Sequence, residues 1–64
     1  MTNDLQILAA RAGISPAQAI ALPAAVTKMA KVAGMHERAF IAEATYRNRE
    51  LRAYIANICA EATA

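Results

Sequence analysis

Cysteine, tryptophan, glycine and proline are scarce in this 64-residue chain, which has one Cys, no Trp, two Gly and two Pro. A single thiol, Cys59, closes no internal disulfide, and no CxxC or Cys/His set is present to hold a structural zinc. One His, five acids and two glycines are little material for a catalytic constellation or a phosphate-cradling loop. We therefore expect no enzyme, no cofactor and no metal. Long apolar runs are missing as well. The longest charge-free stretch, residues 12–27, spans 16 residues and is interrupted by Pro16, Gln18 and Pro23, so no membrane span is expected. Met1-Thr2-Asn3-Asp4 has no basic region ahead of an apolar one, which predicts no secretory signal. Together with the lone cysteine, this predicts a cytoplasmic location.

What the chain has is alanine. Hydrophobic residues make up 58%, but 18 of them are Ala. One domain, residues 1–64, is all this length allows, and a chain this short buries only about 60% of its unfolded surface. A core made largely of Ala is thin, so helix packing and self-association are the expected sources of stability. Leu51, Tyr54, Ile55, Ile58 and Cys59 form a wider apolar stripe than one small domain needs, and we expect them at a homodimer interface.

Strong helix formers fill most positions and no segment alternates with period two, so the fold class is all-α, a small bundle of four to five helices. Asn3 or Asp4 is a candidate cap for a first helix with Leu5, Leu8, Ala9 and Ala12 on its apolar face, stopped by Gly13. Ser15-Pro16 reads as an N-cap followed by proline at the first helical position. The short helix it opens, residues 16–21, ends because Pro23 pushes Leu22 out of the α region. Pro23 opens a third helix with Val26, Met29, Ala30 and Ala33 on one face, closed by Gly34. Residues 35–64 contain no Gly or Pro and form either one long helix or two helices broken near residues 45–48; Asn48 followed by Arg49-Glu50-Leu51 favours the break.

Leu8-Ala9-x-x-Ala12-Gly13-Ile14 recurs 21 residues later as Met29-Ala30-x-x-Ala33-Gly34-Met35. Ile20-Ala21 and Ile41-Ala42 match at the same offset. Two copies are too few for a solenoid, and a helix stopped by glycine and followed by an apolar anchor is a common way to join two helices.

The second copy and its flanks, residues 27–41, resemble the helix-turn-helix of Cro and λ-repressor-like regulators. Ala30 permits close approach of the two helices, Gly34 supplies the turn, Met35 anchors it, and Phe40 packs the second helix back onto the first. Glu43 departs from that pattern where an apolar residue is usual, and Ala44 would serve instead. The resemblance implies a partner, double-stranded DNA. Thr27, Lys28 and Lys31 would face phosphates, His36, Glu37 and Arg38 would reach base edges, and Arg47 and Arg49 would add phosphate contacts. The first copy competes as a turn, but its following helix offers only Gln18 for polar readout.

Plainer roles stand beside these. Glu43 and Arg47 suit an i,i+4 pair on a solvated helix face. His36 suits a cap or surface position, Cys59 a small buried hydrophobe, and Tyr46 and Tyr54 core or interface packing. The alternative function is a helical adaptor or inhibitor that binds another protein through Ala/Met/Ile-rich faces; a third is an oligomerisation module. One uninterrupted basic face holding Lys28, Lys31, Arg38, Arg47 and Arg49 favours DNA. Division of that face by Glu37 and Glu43 favours the adaptor.

Overall fold

The computed structural model describes residues 3–64. Its elements are α1 (Asn3–Ala12), α2 (Pro16–Ala19), α3 (Leu22–Ala33), α4 (Glu37–Ala42) and α5 (Arg49–Ala62). A π-helical segment, Glu43–Arg47, continues α4. No strand occurs among the described residues. The all-α expectation holds, and residues 35–64 are two helical stretches parted at Asn48.

The two glycines end helices in the same way. Gly13 has φ 70° and Gly34 has φ 68°, the left-handed region that a Cβ disfavours. The next amide in each case, Ile14 or Met35, donates to the carbonyl five residues back, Ala9 or Ala30, both at 2.9 Å. Gly13 and Gly34 themselves donate to Ala10 and Lys31, at 3.4 and 3.2 Å. These paired bonds satisfy carbonyls that the helix end leaves open. The 21-residue sequence echo is therefore a conformational echo too. After each glycine turn the chain is extended, at Ser15 (φ −69°, ψ 159°) and at His36 (φ −64°, ψ 145°), before the next helix begins.

Ser15 caps α2 through a reciprocal pair. The Gln18 amide donates to Ser15 Oγ and the Ser15 amide donates to Gln18 Oε1, each at 3.3 Å. Asn48 caps α5, its side-chain oxygen accepting from the Leu51 amide at 2.9 Å. Three boundaries differ from expectation. Asn3 and Asp4 lie inside the first turn of α1 rather than ahead of it. α2 stops at Ala19. Leu22 is the first residue of α3, with Pro23 in the first turn, where its missing N–H costs nothing. Complete burial of Leu22 outweighs the bias that proline exerts on the residue before it.

Phe40, Leu8, Leu22, Ile55, Val26, Thr45 and Cys59 are the largest fully enclosed side chains. All of them but Thr45 belong to one apolar cluster together with Leu5, Ile14, Ile41 and small alanines. α5 packs against α1, α2, α3 and the π segment. This corrects the expected dimer stripe: Ile55 and Cys59 are each 0% exposed and fill the chain's own core. A helix with neighbours on several sides buries a broad face, which explains the stripe's width without a second copy. Leu51 and Ile58 pack partly against the core, and Tyr54 remains 54% exposed. Burial pushes the Cys59 thiol pKa up. The Cα radius of gyration is 10.2 Å, against about 10.7 Å for a compact domain of this length. The single chain is thus fully collapsed.

Candidate nucleic-acid interface

The eight residues proposed to meet DNA are all exposed, but they do not share one surface depression. Thr27, on α3, brings its hydroxyl within 2.9 Å of Glu37 Oε1 on the first turn of α4 and within 3.1 Å of the Pro23 carbonyl. The hydroxyl has a single proton, so these two acceptors compete for it. The bond to Glu37 ties α3 to α4 across the glycine turn. Beside it runs a groove of about 480 Å³ floored by Leu5, Pro23, Val26 and Ile41 and edged by Asp4, Thr27, Glu37 and Arg38. Arg38 thus shares its surroundings with two carboxylates.

Lys31 and His36 line a second, shallower depression of about 250 Å³ over Ala30, Gly34 and Met35. His36 stands at the N-cap position of α4, but its side chain makes no capping bond. Lys28 lines neither depression.

Arg47 and Arg49 lie elsewhere. They line a depression of about 220 Å³ with Arg11, Arg52, Tyr46 and Asn48. Its construction begins with the π segment. The Asn48 amide reaches back five residues to the Glu43 carbonyl at 2.8 Å, and the chain turns extended at Asn48 (φ −121°, ψ 97°). That turn removes the helical donor that Thr45 C=O would have received from residue 49. Two side chains supply donors in its place: Arg11 Nε and Arg52 Nη1 each donate to Thr45 O at 2.9 Å. The Thr45 side chain is buried, its hydroxyl donating to the Ile41 carbonyl at 2.6 Å. The Arg11 guanidinium also sits 5.4 Å from the Tyr46 ring centroid, a cation–π distance. Tyr46 is 62% exposed, so the expectation of core packing for it does not hold.

Glu43 pairs with Arg47 at 3.9 Å, as the i,i+4 spacing predicts; 80% of the Arg47 side chain is exposed, so the pair is weak. The basic residues are divided into separate groups rather than one face, with Glu37 beside Arg38 and Glu43 beside Arg47. What the sequence missed is the place of Arg11 and Arg52 in this group, and Arg11 above all. Its partner carbonyl lies 34 residues away, and no local spacing announces such a contact. Among the described residues no three His, Cys, Asp or Glu side chains gather as a metal site, and no helix is long and apolar enough to cross a membrane.

Comparison with family models, with curated proteins and with solved structures gives no match for this chain. The class it defines is that of a small, compact all-α globule.

Proposed function

We propose that this chain is a small DNA-binding regulator that acts by occupying its site on the duplex. The basic residues do not make the one uninterrupted face that favours DNA; the reading is carried instead by the gathering of Arg47 and Arg49 with Arg11 and Arg52 around one polar depression. Grouped guanidinium forks suit phosphate oxygens better than scattered lysines do. Thr27, Lys28 and Lys31 then meet the backbone further along, and His36, Glu37 and Arg38 meet base edges. Two copies joined through Leu51, Tyr54 and Ile58 would read paired half-sites.

A second reading, a helical adaptor that docks on another protein, is the one that the division of the basic residues by Glu37 and Glu43 favours. Ile20 is 80% and Val32 74% exposed, and Arg38 shares its groove with Asp4 and Glu37. Fluorescence anisotropy separates the two, using a duplex selected from a random pool and an unselected duplex across a salt series. A regulator shows log K falling linearly with log salt and still prefers the selected duplex at ~150 mM. Arg38→Ala then costs ~1–3 kcal/mol on the selected duplex and little on the other. Equal affinity for both duplexes at ~150 mM overturns the regulator in favour of the adaptor.

A further inference from the structure

The geometry points to the depression between α1, the π segment and the start of α5 as a preorganised pocket for a single phosphate group, with Arg11, Arg49 and Arg52 as its donors. The proposal rests on the DNA-binding reading only for the owner of that phosphate, a diester of the duplex backbone.

Two of the arginines are fixed before any ligand arrives. Thr45 O accepts one N–H from Arg11 and one from Arg52, both at 2.9 Å. A guanidinium carries several donors in a rigid fork, so each retains others for a second acceptor. The Tyr46 ring further restricts Arg11. Holding a side chain in place beforehand removes rotamer entropy that binding would otherwise cost. Arg49 is exposed and makes no ion pair among the described residues. Arg47 is the one cation of the group with a carboxylate partner, Glu43, and the acid nearest in sequence on α5, Glu50, is exposed.

Converging cations repel one another, and one backbone carbonyl relieves only part of that repulsion. A tetrahedral dianion or a diester fits the deficit: several oxygens, each able to accept from a different guanidinium. The volume of about 220 Å³ admits a phosphate and its immediate substituents. The π segment is what creates the pocket, since a regular helix through residues 43–49 would occupy Thr45 O with its own amide. Single-turn π segments recur at functional sites, and here the irregularity has an identifiable product.

Inorganic phosphate titrated into the ¹⁵N-labelled chain tests this directly, with sodium chloride of equal ionic strength as reference. The arginine Nε–Hε signals of Arg11, Arg49 and Arg52 are expected to move and saturate with phosphate alone. Arg49→Gln and Arg52→Gln should each weaken phosphate about tenfold while the backbone amide spectrum is kept. In a parallel duplex titration each variant should flatten the salt slope by about one unit. If Arg52→Gln unfolds the chain, Arg49→Gln decides, because its side chain supports nothing in the fold. Saturable phosphate binding without any duplex binding keeps the pocket and removes the DNA reading. Phosphate shifts matching those of chloride, with Arg49→Gln binding duplex at the unaltered salt slope, overturn the pocket and leave the DNA reading standing.

Discussion

Replacing Gly34 with valine isolates backbone strain from packing. A Cβ built at Gly34 meets nothing within 4 Å, so the Cβ itself adds no clash to the cost. What remains is φ 68° and ψ 31°, a left-handed conformation that costs a residue with a Cβ about 1–2 kcal/mol, and more when it is β-branched. We therefore expect Gly34→Val to lose at least about 1 kcal/mol. Asparagine tolerates this region, so Gly34→Asn should lose distinctly less. Gly13 provides an internal replicate: φ is 70°, its Cβ space is equally open, and Gly13→Val should cost the same. The two turns share no contact in either glycine's surroundings, so the double variant should show the sum. Urea melts followed by far-UV circular dichroism read this well. With a slope of about 1 kcal/mol per molar for a small domain, each valine lowers the midpoint by about 1 M, and the thermal midpoint falls by about 4–8 °C. A neutral Gly34→Val, or an asparagine as harmful as valine, refutes the left-handed turn and with it the path of the chain from α3 into α4.

Two further outcomes test other parts of the fold. Cys59 sits at 0% exposure with its thiol pKa raised by burial, so the folded state holds its proton to higher pH than the unfolded state does. Its contribution is complete below the ordinary thiol pKa of about 8.5 and declines as pH rises above it; the urea midpoint of the parent should fall with pH more steeply than that of Cys59→Ala. Equal slopes would mean the thiol is open to water. For assembly, sedimentation at micromolar concentration should give about twice the 6.8 kDa chain mass, and Tyr54→Arg, at a 54% exposed position, should return it to the monomer with helicity intact. A parent already monomeric under those conditions ends the dimer proposal.

Much of the helix order was legible because its punctuation is local. Gly13, Gly34, Ser15-Pro16 and Asn48 each act through their own φ or their own side-chain cap, and the structure uses all of them as such. What was not legible is set by partners far along the chain. The α5 stripe gave the right face, but how much of that face was already covered depended on α1, α2 and α3 all packing against it, which claims Ile55 and Cys59. The π segment arises where Thr45 is drawn into the core and Asn48 leaves the helix, a competition no propensity scale expresses. The candidate site was legible only in fragments. Arg47 and Arg49 were found by charge, Arg11 and Arg52 only once the Thr45 carbonyl gathered them.

The packing of α5 on α1 also governs how the chain folds. Residues 13–48, the 36 between these helices, form a loop whose ends must meet, at a closure cost of about 3 kcal/mol beyond a constant. The helices between them are local and can form and dissolve within microseconds. None of them is well sheltered until Ile55 and Cys59 arrive from α5, because those side chains share one cluster with Leu8, Leu22 and Phe40. The rate-limiting event is therefore expected to be the docking of the last helix, and amides in all five helices should exchange with solvent through one common opening. A chain cut after Asn48 should retain flickering helicity with no cooperative melt.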